Sequence, residues 1–224
     1  ENAVKIAKRF TGRDGIIAFS GGFHGRTYMT MGLTSKVKPY KFNYGSLPSG
    51  IHRVPFPYCY RCPYGLNKEN CNLHCAKYLE DQFFLEYVAP EEVAAFILEP
   101  VLGEGGFVIP PEEFIIELRR ICDKYGILLI ADEVQTGYGR TGKLFACEHW
   151  GVKPDIVTSA KSVAAGMPIA CVTAKKEIFD CIQSGQIGGT YCGNPVAAAA
   201  ALKVLEVMKR DNLEKRANEI GEVC

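Results

Sequence analysis

The chain alternates between short apolar runs and longer segments in which apolar residues recur every three or four positions. Uninterrupted apolar runs are typical of strands buried on both faces, and the longer spacing is typical of amphipathic helices. The predicted strands lie at 15–19, 50–57, 93–100, 126–132, 156–158 and 168–173. The predicted helices lie at 3–11, 76–88, 110–125, 176–183 and 196–208. This alternation with short links predicts an α/β fold, with a mostly parallel mixed sheet and helices on both faces.

Charged residues lie at the ends of three predicted strands. Glu99 and Asp132 end two of them, and Lys161 follows a third. Because open α/β sheets bind ligands at the carboxyl ends of their strands, we expect these side chains to share a site. We expect Lys161 to be buried there, since desolvation lowers the pKa of an amine and makes it a better nucleophile. For either Asp132 or Lys161 alone, a turn-capping aspartate or a solvent-facing lysine is the simpler interpretation.

A lysine and an aspartate on neighbouring strand ends are the pair that binds pyridoxal phosphate. The lysine forms an imine with the cofactor, and the aspartate contacts the pyridine nitrogen. Glycine-rich segments at 20–27, 103–106 and 188–190 add backbone that can approach a ligand closely. Phe23 offers a flat aromatic face in the first of these segments. From the residues alone, a core aromatic at Phe23 and a hydrogen-bonded turn histidine at His24 are the simpler interpretations.

Four cysteines form a compact cluster in the segment 57–76. Their spacing is C-x2-C-x8-C-x3-C, and His74 lies between the last two. Such a set is typical of a structural zinc or an iron–sulfur cluster, with His74 as a substitute ligand. A cysteine-rich surface loop is the alternative, because the longer spacings are loose. The candidate metal ligands are Cys59, Cys62, Cys71 and Cys75.

Composition excludes few classes of protein. The chain has 224 residues, of which 47% are hydrophobic, and a net charge of +1, so it offers no electrostatic argument for nucleic-acid or membrane-surface binding. No apolar run approaches the roughly 20 residues of a transmembrane helix. Ten cysteines without a secretory signal pattern favour a reducing compartment, so we predict a cytoplasmic protein.

Two motifs resemble those of the class III (ω-type) aminotransferases. Residues 131–137 read A-D-E-V-Q-T-G and residues 139–142 read G-R-T-G; residues 159–162 read S-A-K-S and residues 165–168 read A-G-M-P. The resemblance implies a type I pyridoxal-phosphate transferase fold. It also implies that 1–224 is the large, cofactor-binding domain of a longer enzyme, cut at both ends and lacking the small domain.

The resemblance also assigns roles to individual residues. Lys161 and Asp132 would be catalytic, with Lys161 as the Schiff-base lysine. Arg26 would bind the substrate, and Glu104 would pair with an arginine or release it as the two substrates alternate. Thr190 would reach the phosphate of the cofactor in a neighbouring subunit, which implies a homodimer. The residues implied to contact the cofactor are Phe23, His24, Glu99, Val134, Gln135 and Thr190.

The resemblance favours 4-aminobutyrate as amino donor and 2-oxoglutarate as acceptor. The Phe-His-Gly-Arg-Thr set at 23–27, Glu104 and the cysteine segment support this choice, and some 4-aminobutyrate aminotransferases carry an iron–sulfur cluster. Ornithine and acetylornithine aminotransferases share most of these residues, as do amino-acid racemases of the same fold. A cofactor-free fragment that acts only as a structural or binding module is the alternative from another class.

Overall fold

A six-stranded mixed sheet forms the centre of the molecule. The computed structural model describes residues 1–223. Its strands are β1 (Gly15–Phe19), β2 (Ile51–Val54), β3 (Val93–Leu98), β4 (Leu128–Asp132), β5 (Ile156–Ser159) and β6 (Cys171–Ala174). They are arranged in the order β2-β1-β3-β4-β5-β6. Every neighbouring pair is parallel except β5 and β6, which are antiparallel. This arrangement confirms the predicted mostly parallel mixed sheet.

Both faces of the sheet are buried. Along β1, Ile17 and Phe19 belong to one apolar core, and Ile16 and Ala18 belong to the other. Helix α5 (Glu112–Tyr125) contributes to the first core, and helix α1 (Asn2–Thr11) contributes to the second. Each fully buried isoleucine or phenylalanine side chain stabilises the fold by about 1.5–3 kcal/mol. Strands covered on both sides need apolar residues at every position, which explains why their sequences lack the alternation of a half-exposed strand.

The bounds of the remaining helices differ from the predicted ranges. These helices are α2 (Tyr28–Leu33), α3 (His74–Tyr78), α4 (Phe84–Glu86), α6 (Lys176–Phe179), α7 (Pro195–Arg210) and α8 (Leu213–Gly221), of which α2 is not among the predicted ones. The single helix predicted at 76–88 is interrupted by a π-helical turn at Leu79–Phe83. Phe83, at the end of this turn, and Phe84, which follows it, both lie in the same buried core.

Two helix ends hold the amino-terminal edge of the sheet together. Gly12 and Gly126 follow α1 and α5 in the left-handed conformation, with φ of 69° and 63°. The guanidinium of Arg13 donates to the carbonyl oxygens of Val93 at 3.1 Å and Tyr125 at 3.0 Å. One cation therefore links the end of α1, the start of β3 and the end of α5. This contact fixes the relative position of the strands, and hence of their carboxyl ends.

The structure corrects the prediction of a zinc or iron–sulfur site in the segment 57–76. The four thiols line a cavity of about 330 Å³, but residues 1–223 contain no group of three or more His, Cys, Asp or Glu side chains placed to hold a metal ion. In the same segment, the ring of Tyr64 packs on His74 at 4.6 Å and on Tyr78 at 5.6 Å. The cysteines concerned are Cys59, Cys62, Cys71 and Cys75.

The described cysteines are all free thiols, and Cys224 lies outside the described residues. Burial raises the pKa of the Cys75 thiol to about 11, so this thiol stays protonated at neutral pH. Within residues 1–223, no helix combines the length and the apolar character needed to cross a bilayer.

Candidate active site

A cleft of about 620 Å³ opens at the carboxyl ends of β1, β3, β4 and β5. Four adjacent parallel strands therefore deliver their following residues to one place, as expected for an open α/β sheet. The predicted residues that line the cleft are Phe23, His24, Arg26, Glu99, Glu104, Asp132, Val134, Gln135 and Lys161. Thr190 is not among the lining residues and lies exposed in the segment before α7.

Asp132 is buried at the end of β4, with 6% of its surface exposed. Its Oδ2 lies 2.8 Å from His24 Nδ1. Its Oδ1 accepts hydrogen bonds from the Thr158 hydroxyl at 3.2 Å and from the Val134 backbone N–H at 3.3 Å. Thr158 is the residue paired with Asp132 across the two strands. Three donors thus hold this carboxylate in one orientation.

The His24 side chain contacts Asp132 and presents almost no surface to solvent. Its imidazole is 1% exposed, and Nδ1 faces a carboxylate oxygen, so Nδ1 carries the hydrogen. Its Nε2 is buried without a hydrogen-bond partner among the described residues. A Cβ at position 22 would lie 3.0 Å from this nitrogen, so Gly22 makes room for the ring. The resemblance implies that His24 contacts the cofactor, and in the structure its ring also contacts Asp132.

Lys161 is exposed, and this corrects the prediction of a buried amine. It begins a 3-10 turn directly after β5, with a left-handed φ of 48°. Its ammonium contacts the Gln135 amide oxygen. A left-handed backbone at a residue with a side chain costs about 1–3 kcal/mol, and such conformations concentrate at functional sites. The turn directs the amine into the cleft without removing it from solvent.

Glu99 joins two loops of the cleft. Its carboxylate accepts hydrogen bonds from the backbone N–H groups of Phe23 at 2.8 Å and Gly103 at 3.0 Å. Burial raises the pKa of Glu99, although both of these hydrogen bonds oppose the change. A Cβ at Gly103 would lie 3.2 Å from the Glu99 carboxylate and 3.1 Å from Gln135. The glycine therefore allows the two loops to approach, and Glu99 fixes the backbone that carries Phe23.

Glu104 and Arg26 lie away from Asp132 in the cleft and carry opposite charges that do not pair with each other. Glu104 Oε1 accepts a hydrogen bond from the Tyr40 hydroxyl at 2.7 Å and from Lys36 Nζ at 3.2 Å. The hydrogen bond from Tyr40, with that from Lys36, lowers the pKa of Glu104. The guanidinium of Arg26 lies 5.0 Å from the centre of the Tyr40 ring. Among residues 1–223, no carboxylate forms an ion pair with Arg26.

Sequence analysis did not identify Lys36 and Tyr40. Both lie in the segment 35–48, which has no helical or strand periodicity and reads as a polar connection. Its one available signal is the concentration of cationic and aromatic residues, among them Lys38 and Lys41. That composition favours a surface that binds anions, but it does not identify the strand end against which the segment packs.

The residues of the cleft form a chemically coherent set. A buried carboxylate suits a protonated ring nitrogen, and an aromatic face suits a planar ring. A lysine amine suits covalent attachment to a carbonyl carbon, and an unpaired arginine suits a carboxylate. The set therefore fits an aromatic aldehyde cofactor together with an amino-acid substrate.

Comparison with known proteins gives a consistent result. The model of the family "Aminotransferase class-III" matches residues 1–224. The chain is 51% identical to a 5-aminovalerate aminotransferase of Pseudomonas putida over 222 residues, which is 99% of this chain and 50% of that protein. It is 47% identical to a probable 4-aminobutyrate aminotransferase of Bacillus subtilis over 223 residues, 100% of this chain and 51% of that protein. The chain thus spans about half the length of these curated relatives.

A solved structure agrees with the fold. An amine transaminase from an uncultivated Pseudomonas species, in a form with pyridoxal phosphate bound, superposes with a TM-score of 0.90 at 36% identity. The superposition covers 99% of this chain and 52% of that chain.

Proposed function

The chain belongs to the class III aminotransferases, and from this we propose that it binds pyridoxal 5′-phosphate and transfers the amino group of an ω-amino acid. The observation that carries the proposal is the convergence of Lys161, Gln135, Asp132 and Phe23 on one cleft. These residues come from three different strand ends, and the fold brings them together at the edge where open α/β sheets bind ligands.

The residues present fit this cofactor. When bound, pyridoxal phosphate supplies an electrophilic carbonyl carbon and a ring that accepts electrons. Asp132 would contact the ring nitrogen, since three hydrogen bonds fix the orientation of its carboxylate. Gln135 would bind the phenolic oxygen, and Phe23 and Val134 would pack on the ring. All four residues line the cleft.

Lys161 would hold the cofactor covalently and afterwards move a proton. Once an amino donor had replaced it, the Lys161 Nζ would be free to take a proton from the donor carbon that carries the amine. It would then deliver this proton to the carbon that it had held before. Its position supports this role because it lies exposed in the cleft, and among residues 1–223 the only hydrogen-bond partner of its Nζ is the neutral amide of Gln135. Such an amine can exchange partners without breaking an ion pair.

The donor that fits best carries an amine at one end and a carboxylate at the other. Arg26 lines the cleft and forms no ion pair with a carboxylate of residues 1–223, so it would bind the carboxylate of 4-aminobutyrate or a similar donor. Glu104 would exchange between its present partners and an arginine as donor and 2-oxoglutarate alternate. The relatives named for 4-aminobutyrate and 5-aminovalerate support this class of donor.

In a homodimer, Thr190 of one copy would lie at the cofactor site of the other copy. Thr190 is exposed in a glycine-rich segment and does not line the cleft of its own chain. This position supports the proposal that its hydroxyl contributes to the phosphate site of a second copy.

The test uses the full-length protein reconstituted with pyridoxal phosphate. Mixing with 4-aminobutyrate should change the visible absorption of the cofactor, and adding 2-oxoglutarate should restore it with formation of glutamate. Lys161→Ala should abolish the formation of glutamate, because the amine that moves the proton is missing. Ornithine, acetylornithine and single-enantiomer amino acids complete the donor panel, and inverted chirality without glutamate would identify a racemase. Failure to take up the cofactor would favour a binding module instead.

A further inference from the structure

Tyr40 contacts three residues on one side of the cleft. Its hydroxyl donates to Glu104 at 2.7 Å. Its ring packs edge-to-face on Phe23, with 5.0 Å between the ring centres, and lies under the Arg26 guanidinium at 5.0 Å. One side chain thus touches a candidate cofactor contact and both candidate substrate contacts.

Arg26 and Glu104 line the same cleft with opposite charges, yet no ion pair forms between them. The Glu104 carboxylate is instead bound by Tyr40 and Lys36. The positive charge of Arg26 still contributes to the lowered pKa of Glu104, so the two groups sense each other. In this arrangement an arginine is available to a ligand even though an acid lies nearby.

We propose that Tyr40 is a positioning residue that keeps Glu104 away from Arg26 and thereby preserves a binding site for the carboxylate of the amino donor. The proposal rests on the proposed function and adds the residue that sets substrate affinity. Two features of tyrosine are needed together. The ring provides the face on which Arg26 lies, and the hydroxyl provides the donor for Glu104.

Lys36 does not replace Tyr40 in this role. The side chains of Lys36 and Glu104 are 50% and 44% exposed, and exposed ion pairs hold their partners weakly. Without Tyr40, Glu104 would be free to turn toward the fixed cation of Arg26. A neutralised Arg26 would then bind a substrate carboxylate poorly.

The experiment measures carboxylate binding separately from catalysis. Pentanoate resembles an ω-amino acid but has no amine, so it binds without reacting. Its dissociation constant is measured by calorimetry on the full-length protein carrying its cofactor and on four variants: Tyr40→Ala, Tyr40→Phe, Glu104→Gln and the double variant Tyr40→Ala/Glu104→Gln. Tyr44→Ala is the matched control, since Tyr44 lies on the same segment and is 63% exposed.

Tyr40→Ala should weaken pentanoate binding about tenfold, the size expected for loss of one charge-assisted interaction. Tyr40→Phe should weaken it by a smaller factor, because the ring is retained and the hydroxyl is lost. In the Glu104→Gln background, adding Tyr40→Ala should have little effect, since no acid remains to neutralise Arg26. Pentanamide, which has no charge, should bind the wild type and Tyr40→Ala equally. The KM for 4-aminobutyrate should follow the pentanoate result while kcat changes little.

Equal pentanoate affinity in the wild type and Tyr40→Ala would overturn the proposal. So would an equal loss with and without the Glu104→Gln substitution, because Tyr40 would then be only a structural support. Circular dichroism and thermal melting identify a variant that fails to fold, in which case Tyr40→Phe decides by itself. Failure of the proposed function is distinguishable, because the wild type would then transfer no amino group from any donor.

Discussion

The two sides of the cleft are built differently. The Asp132 side consists of strand ends, and its carboxylate is buried and held by three donors. The Arg26 side consists of the loops after β1 and β3 together with the irregular segment 35–48, and Glu104 there is exposed and held by two side chains. Buried groups in a dense hydrogen-bond network have one stable arrangement, whereas exposed ones can exchange partners. The contrast suits a cleft that keeps its cofactor on one side and alternates between two substrates on the other.

The strongest test of this contrast is Asp132→Asn. An amide cannot keep a ring nitrogen protonated, so we expect kcat to fall about 1,000-fold, within the range for loss of a catalytic proton partner. Steady-state kinetics on the reconstituted full-length protein measure the effect. Asp123→Asn is the control, because that carboxyl is 69% exposed and lies on the surface of α5. A loss below tenfold would mean that Asp132 does not act on the cofactor.

His24→Ala tests whether the Asp132 side is rigid because of its hydrogen bonds. The substitution removes a 1% exposed ring and one donor to a buried carboxylate. We expect the free energy of unfolding to fall by about 3 kcal/mol, measured by denaturant unfolding. His149→Ala removes an exposed histidine and should cost less than about 1 kcal/mol. Similar losses for the two variants would contradict the assigned role of His24.

Glu99→Gln tests how the buried carboxyl that links the Phe23 and Gly103 loops makes the stability of the protein depend on pH. Because burial raises the pKa of Glu99, the folded protein holds this proton more tightly than the unfolded chain does. The stabilisation is complete below the ordinary pKa of a glutamate and is lost as the pH rises through the raised value. The wild type should therefore lose stability with increasing pH in this range, and Glu99→Gln should lose less. Parallel pH profiles of the two unfolding free energies would refute this reasoning.

Lys36→Met should give the smallest effect. The pair with Glu104 is half exposed on both partners, so we expect the KM for 4-aminobutyrate to change less than about threefold. Tyr40→Ala is the comparison, since its effect on the same constant should be several times larger. A larger effect for Lys36→Met would show that the cation, and not the tyrosine, positions Glu104.

Much of the fold follows from local pattern. The strand predicted at 15–19 coincides with β1, and Gly12 and Gly126, which directly follow the helices predicted at 3–11 and 110–125, have the left-handed backbone typical of helix ends. The helix predicted at 76–88 is less accurate, because the periodicity of apolar residues does not reveal the π-helical turn at Leu79–Phe83. The cleft is also predictable in part, since residues that follow parallel strands must lie at the same edge of the sheet.

By itself, the sequence determined where the strands lie, which charged residues follow them and which motifs the chain shares with a family. Each of these depends on residues only a few positions apart. Tertiary structure alone decided that His24 binds Asp132, 108 positions distant, and that Tyr40 binds Glu104, 64 positions distant. It also decided that Lys161 is exposed, and that within residues 1–223 no three His, Cys, Asp or Glu side chains are placed to hold a metal ion. The physical reason is that local pattern sets which backbone a segment adopts, whereas packing between distant segments sets which side chains meet.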